Sequence, residues 1–146
     1  MKYLLLIFAC SAAVFVKAQV NNTVSKPQPN SALKISTIPS WQGDLGCVTF
    51  LQNKKTIFYF DRKKKSGKII LNNKNYIINS EKTNELGYLL FGNGLNIKAY
   101  NCKYNEEEEG DCSYGKFATI SVKLNNTTLI LKNVDIQDCY FDGEVK

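Results

Sequence analysis

An acidic run is the most conspicuous group of residues that could do chemistry in this sequence. Five carboxylates lie within six residues, and they belong to Glu106, Glu107, Glu108, Glu109 and Asp111. Clustered carboxylates can bind a hard cation such as Ca²⁺, although this run lacks the alternating spacing of a calcium loop. They can also attract a basic protein, and many charge runs are simply solvated loops. We take the five carboxylates as a candidate binding site for a basic partner, and we expect no metal ion or other cofactor.

A basic run forms the second candidate site. It consists of Arg62, Lys63, Lys64 and Lys65. Such a run can bind an anionic surface, for example that of a cell envelope. Lysines at a hairpin tip also keep a β-edge from pairing with other chains, and this structural interpretation is the more common one. We expect no nucleic acid as a partner, because aromatic residues do not alternate with the basic ones at this tip.

The residue types required for many enzyme mechanisms are missing. The chain contains no histidine, which excludes Ser-His-Asp and Cys-His catalysis and any metal site that requires imidazole. No serine lies in a Gly-x-Ser-x-Gly setting. The acidic residues concentrate in one loop rather than in two groups that could flank a substrate. The sequence therefore predicts a protein that is not an enzyme.

The N-terminus predicts export. Residues 1–18 combine Lys2, an apolar stretch that ends at Val16, and small residues up to Ala18, which together are typical of a cleaved signal peptide. The apolar stretch is shorter than the roughly 20 residues that cross a membrane. Lipid attachment at Cys10 is the alternative interpretation. The predicted location is secreted or periplasmic, and cleavage would leave 17 basic against 13 acidic residues, a net charge of +4.

Four cysteines remain after the predicted cleavage, and an even number in a short exported chain indicates disulfides. Of the three possible pairings, we favour Cys102–Cys112, which would close the loop around the acidic run, and Cys47–Cys139, which would join the first strand to the last. The cysteine spacing does not fit a zinc site.

The remaining sequence predicts an all-β domain. Residues 19–40 contain all three prolines and read as a flexible polar leader with a short extended piece at 33–38. From residue 41 to residue 146, short segments rich in β-branched and aromatic residues alternate with Asn and Gly turns. This pattern predicts a small antiparallel meander of about eight strands, closed as a barrel or folded as a sandwich.

A cysteine in the first strand and the pair Asp138-Cys139 near the C-terminus resemble the pattern of the bacterial periplasmic inhibitors of C-type lysozyme, over about residues 46–140. The resemblance implies a small eight-stranded barrel. The family's Ser-Gly-x-x-Tyr loop is not intact, because residues 112–116 read Cys-Ser-Tyr-Gly-Lys. No inhibitory residue is therefore carried over.

Three functions fit these observations. The first is an exported binding domain without catalytic chemistry. The second is an inhibitor of a basic secreted hydrolase that acts through the acidic loop at residues 102–112. The third is a carrier that holds a small apolar ligand inside the barrel.

Overall fold

The part of the chain that the structure describes is built from β-strands. The structure is a computed structural model, and it describes residues 32–39, 41, 45–105 and 110–140. The strands are β1 (Ile35–Ser36), β2 (Cys47–Gln52), β3 (Lys55–Asp61), β4 (Ser66–Leu71), β5 (Lys74–Asn84), β6 (Gly87–Gly92), β7 (Leu95–Tyr100), β8 (Lys103–Tyr104), β9 (Cys112–Leu124) and β10 (Thr127–Cys139). The predicted all-β class is confirmed. In these described ranges no helix is long and apolar enough to cross a membrane. The predicted signal peptide lies outside them.

Eight of the strands close into an antiparallel barrel. Strands β2 to β7, β9 and β10 pair in sequence order, and β10 also pairs with β2, which completes the ring. The structure thus selects the barrel over the sandwich. We call the end where β3 and β10 finish and β9 begins the upper end. The turns that follow β2 and β4 lie at the lower end.

Asparagines make the tight turns, as the sequence predicts. Asn72, Asn73 and Asn125 adopt φ values of 49°, 62° and 52°, a conformation that asparagine tolerates better than most residues. Gly67 does not have a positive φ. Glycine is required there because a Cβ would lie 2.1 Å from the carbonyl oxygen of Tyr59 on the neighbouring strand.

Strand β10 continues through a residue with a positive φ. Asn133, with a φ of 52°, lies within the strand. The pairing with β9 continues on both sides, from Lys132 opposite Thr119 to Val134 opposite Phe117. A single left-handed residue therefore does not end the strand.

Aromatic rings occupy the barrel interior. The ring of Phe50 lies 4.3 Å from Phe58, 5.7 Å from Tyr88 and 6.0 Å from Phe117, measured between centroids. All four side chains are buried. Aliphatic side chains from the alternating inward positions surround them. An eight-stranded barrel is just wide enough for such filling.

Part of the segment expected as a leader packs on the barrel. Strand β1 pairs with Leu71 and Ile70, which are residues of β4 beyond its pairing with β3. Leu33 and Ile38 are buried. The extended piece anticipated at 33–38 is therefore present, and the remainder of residues 19–40 lies outside the described ranges apart from 32 and 39.

Candidate functional site

The base of the acidic loop is fixed to the upper end of the barrel. Glu106–Glu109 lie outside the described residues, so their predicted role stays a prediction. On one side of them, β8 pairs with β9, and the amide of Asn105 donates a hydrogen bond of 2.8 Å to the carbonyl of Tyr114. On the other side, the carbonyl of Asp111 accepts a hydrogen bond of 2.8 Å from the amide of Tyr140. We call residues 102–112 the acidic hairpin.

The disulfide that anchors this hairpin differs from the predicted pairs. Cys112 is bonded to Cys139, so the predictions of Cys102–Cys112 and Cys47–Cys139 were wrong. The physical reason is register. Cys112 lies directly opposite Cys139 in the β9–β10 ladder, with the two Cα atoms 3.9 Å apart. Loop-closure arguments from sequence cannot supply that register.

The other two cysteines face different environments. The Cys102 sulfur would lie 2.7 Å from a Cβ built on Gly115. Gly115 lies opposite the core residue Ile136, so a side chain at position 115 would face the barrel interior. The Cys102 sulfur therefore lies on the inner side of the sheet. Cys112, three residues earlier on β9, points outward. Burial raises the pKa of the Cys102 thiol, so it is a weak nucleophile at neutral pH. Cys47 is 1% exposed and lies outside the disulfide.

A buried ionic cluster lies beneath the acidic hairpin. Arg62, which the sequence placed in the basic run, points into the upper end of the barrel. Its guanidinium donates two hydrogen bonds to Asp138, of 2.6 and 3.2 Å, and two to Glu81, of 2.9 and 2.8 Å. Burial alone would lower the pKa of Arg62, but the bonds and charges of the two carboxylates raise it above its ordinary value. We call these three residues the ionic cluster.

Tyrosines connect the ionic cluster to the hairpin. The Tyr88 hydroxyl donates a hydrogen bond of 2.5 Å to Asp138. Its oxygen lies 2.9 Å from the Tyr104 hydroxyl. Because the single Tyr88 proton is directed at the carboxylate, Tyr104 is the donor in this second bond. Strand β8 is thus tied to the interior through two phenols.

The pKa values of these phenols are all raised. Burial is the first cause for Tyr88, Tyr104 and Tyr140, and the negative charge of Asp138 adds to it. For Tyr140 the pKa reaches about 12, with the Arg62 guanidinium carbon 5.7 Å from its ring centroid. At neutral pH these groups are protonated hydrogen-bond donors rather than bases. The arrangement therefore favours a structural support over acid–base chemistry.

A cleft of about 670 Å³ opens at the upper end beside the hairpin. Tyr88, Tyr104 and Tyr140 line it together with Cys102. The pocket has polar rims and aromatic walls, which suits recognition of a partner's side chain. Among the described residues, no group of three or more His, Cys, Asp or Glu side chains is placed to hold a metal ion.

The predicted basic site is divided by the structure. Lys63, Lys64 and Lys65 lie exposed in the turn between β3 and β4, but Arg62 does not accompany them. The ammonium of Lys64 lies 3.0 Å from Asp61. Burial would raise the pKa of Asp61, yet hydrogen bonds from Lys64 hold it below its ordinary value. The basic turn and the acidic hairpin share the upper end, because both follow strands that finish there.

The ionic cluster was missed as a unit by the sequence analysis, although a signal was present. Asp138 continues the inward positions of Val134 and Ile136, and Arg62 continues those of Phe58 and Phe60. Two opposite charges that follow inward-facing strand positions indicate a buried ion pair, because residues two apart share a face.

Comparisons with known proteins add no relative. The chain matches no family model, no curated protein and no solved structure significantly. The resemblance to the lysozyme inhibitors therefore stays a prediction from the residues.

Proposed function

We propose that this chain is an exported binding domain without catalytic activity, and that it captures a basic protein through the acidic hairpin. The observation that carries the proposal is the fixation of the hairpin base. One disulfide, two backbone hydrogen bonds outside the ladder and a chain of two tyrosines hold the residues on either side of Glu106–Glu109. A loop whose base is already ordered loses less conformational freedom when it binds.

The charge beneath the hairpin supports the same proposal. The ionic cluster contains two carboxylates and one guanidinium, so it carries a net negative charge close to the hairpin base. The predicted mature chain as a whole is positive. At physiological salt, charges further apart than about 8 Å are largely screened. Recognition of a basic partner would therefore depend on this local charge rather than on the net charge.

Inhibition of a basic secreted hydrolase is the more specific form of this proposal. An acidic loop whose base is fixed to a small barrel can enter the substrate cleft of such an enzyme, where it would exclude the substrate. The carrier hypothesis is less well supported, because the rings of Phe50, Phe58, Tyr88 and Phe117 occupy the space that a carried ligand would need.

The test uses the mature chain, immobilised and incubated with the secreted or periplasmic fraction of its source. The wild type is compared with a variant in which Glu106–Glu109 are all changed to Gln, and with the control Asp135→Asn, which removes an exposed charge on the outer face of the barrel. Basic proteins retained by the wild type and the control, but not by the quadruple variant, would support the proposal. Identical retention by all three, or no retention, would overturn it.

A kinetic assay separates an inhibitor from a non-inhibitory binder. A C-type lysozyme serves as the probe, because it is a basic secreted hydrolase. Slower turnover with the wild type and unchanged turnover with the quadruple variant would support inhibition through the hairpin. Equal slowing by both proteins would place any inhibitory surface elsewhere.

A further inference from the structure

A groove crosses the outer face of the barrel, on the opposite side of the sheet from the ionic cluster. It consists of two adjoining depressions of about 630 and 370 Å³. Leu51, Lys54 and Gln137 line both of them, so the depressions form one continuous surface over β2 and β10. We call it the lysine trough. Among the described residues of the acidic hairpin, Asn105 lines it and Asp111 does not.

The walls of the lysine trough are already in place. On one side, the ring of Trp41 stacks on Tyr59 with centroids 3.6 Å apart, and its indole nitrogen lies 3.4 Å from the Thr49 hydroxyl. Next to it, the amide of Ile38 donates a hydrogen bond of 2.8 Å to Thr56. Tyr114 of β9 forms the other side, and its backbone carbonyl accepts the hydrogen bond from the Asn105 amide. A preformed concave surface of this size is typical of binding sites.

The charge of the lysine trough is positive. Of the described residues, Lys54, Lys55 and Lys116 line it, together with one carboxylate, that of Asp135. Asp135 pairs with Lys116 at 3.1 Å, and these two side chains are 42% and 59% exposed. No acidic side chain of residues 32–39, 41, 45–105 and 110–140 forms an ion pair with Lys54 or Lys55. Two cations are thus available to a ligand.

Lys54 occupies a backbone conformation that does not suit lysine. Asn53 and Lys54 have φ values of 52° and 62°, which is the turn in which glycine is preferred at the second position. The chain places a long cationic side chain there, at the junction of the two depressions. Residues held in an unfavourable conformation are concentrated at functional sites, and here such a residue supplies one of the two charges.

We infer that the lysine trough binds an acidic peptide segment of a partner protein. Lys54 and Lys55, which form an ion pair with no described carboxylate, attract its acidic groups. Leu51 and the side of Trp41 offer apolar contact to the side chains between them. The lining favours a peptide over a highly sulfated glycan, because its described residues offer two lysines outside an ion pair and apolar groups separate the polar ones. The inference does not rest on the proposed capture of a basic protein, although Asn105 belongs both to the trough and to the base of the acidic hairpin.

The test follows the fluorescence of Trp41, which is the single tryptophan of the chain and lines the trough. The mature protein is titrated with a synthetic peptide of alternating Glu and Leu, and with a matching peptide of alternating Gln and Leu. We expect the Trp41 fluorescence to change saturably with the Glu-Leu peptide, and added salt to weaken this binding. The Gln-Leu peptide should cause no such change. Equal binding of the two peptides would overturn the charge-based inference.

Variants assign the binding to this surface. Lys54→Gly removes the cation and relieves the turn, so it should fold at least as well as the wild type. The matched control is Lys65→Gly, since Lys65 is also exposed with a positive φ of 49° but lies at the upper end. Lys54→Gly should weaken the Glu-Leu peptide about two- to fivefold, as expected for one exposed charge pair. Adding Lys55→Gln should bring the loss to about tenfold.

The remaining outcomes are also decisive. Equal weakening by Lys54→Gly and Lys65→Gly would mean that net charge rather than the trough attracts the peptide, and would overturn the inference. Binding of heparin to the trough without any binding of the peptide would overturn it in favour of a glycan. The quadruple Glu106–Glu109 to Gln variant should keep its peptide binding, which distinguishes this site from the proposed function of the acidic hairpin.

Discussion

Replacement of Asp138 by Asn should strongly destabilise the barrel. The Asp138 side chain is 1% exposed and accepts hydrogen bonds of 2.6 and 3.2 Å from Arg62 and of 2.5 Å from Tyr88. Asn keeps the shape but replaces one acceptor oxygen with an NH₂ group, which must then face a donor. Each hydrogen bond to a charged group contributes about 1.5–3 kcal/mol. Because Glu81 continues to neutralise Arg62, we expect a loss of about 3 kcal/mol rather than the upper limit of about 5 kcal/mol for breaking a buried pair.

The same strand provides a matched control. Asp135 also forms an ion pair, with Lys116 at 3.1 Å, but it lies on the outer face and is 42% exposed. Asp135→Asn should cost no more than about 0.5 kcal/mol, as is usual for surface pairs. Tyr88→Phe should fall between the two at about 1–2 kcal/mol, because Asp138 would keep both bonds from Arg62.

The assay is urea unfolding of the three variants and the wild type, with a check that the slope against urea is unchanged. For a domain of this size, a loss of about 3 kcal/mol also lowers the melting temperature by about 10–20 °C. If Asp138→Asn were no more destabilising than Asp135→Asn, the ionic cluster would not contribute to stability, and the argument that it supports the acidic hairpin would fail.

Three further predictions follow from the same structure. Changing Cys112 and Cys139 together to Ser should lower the free energy of unfolding by about 3–4 kcal/mol, the value of the chain-entropy model for a separation of 27 residues. Urea unfolding measures this loss, and an unchanged stability would mean that the disulfide does not form. Gly67→Ala should lower the free energy of unfolding by about 2–3 kcal/mol, because the added Cβ clashes with a neighbouring strand. Gly110→Ala should lower it by only about 1 kcal/mol, because the added Cβ meets no atom within 4 Å and only the φ of 66° is unfavourable. Equal effects of the two substitutions in thermal unfolding would refute this distinction. Raising the pH should destabilise the fold from about pH 10 upward, because tyrosines of the unfolded chain ionise there while the buried ones of the folded chain keep their protons. Near-ultraviolet absorbance of the folded protein should show ionisation above the ordinary pKa for four tyrosines, Tyr59, Tyr88, Tyr104 and Tyr140. Titration of all the phenols together at the ordinary pKa would contradict this prediction.

Local information in the sequence was sufficient for most of the strands and turns. Strand β7, for example, shows apolar residues alternating with polar ones from Leu95 to Ala99. The asparagine pair at residues 72 and 73 gave the turn between β4 and β5. Both features depend on neighbours in the chain, so the sequence contains what is needed to predict them.

Long-range pairing limited the prediction of the candidate site. The disulfide depends on Cys112 lying opposite Cys139, and the ionic cluster depends on Arg62, Glu81 and Asp138 meeting from three strands. Alternation could have shown that Arg62 and Asp138 point inward, but not that they meet. The assignment of all four residues 62–65 to one basic surface failed in part for this reason.

By itself, the sequence determined the strand class, the turn positions, the absence of histidine chemistry and the presence of the acidic run, because each follows from residue type and short-range spacing. Closure of the barrel, the pairing of Cys112 with Cys139, the inward position of Arg62 and the joining of two depressions into the lysine trough were decided by the tertiary structure. These features depend on register between strands far apart in the chain. A shift of one residue would turn every side chain of a strand to the other face, which is why the register had to be seen.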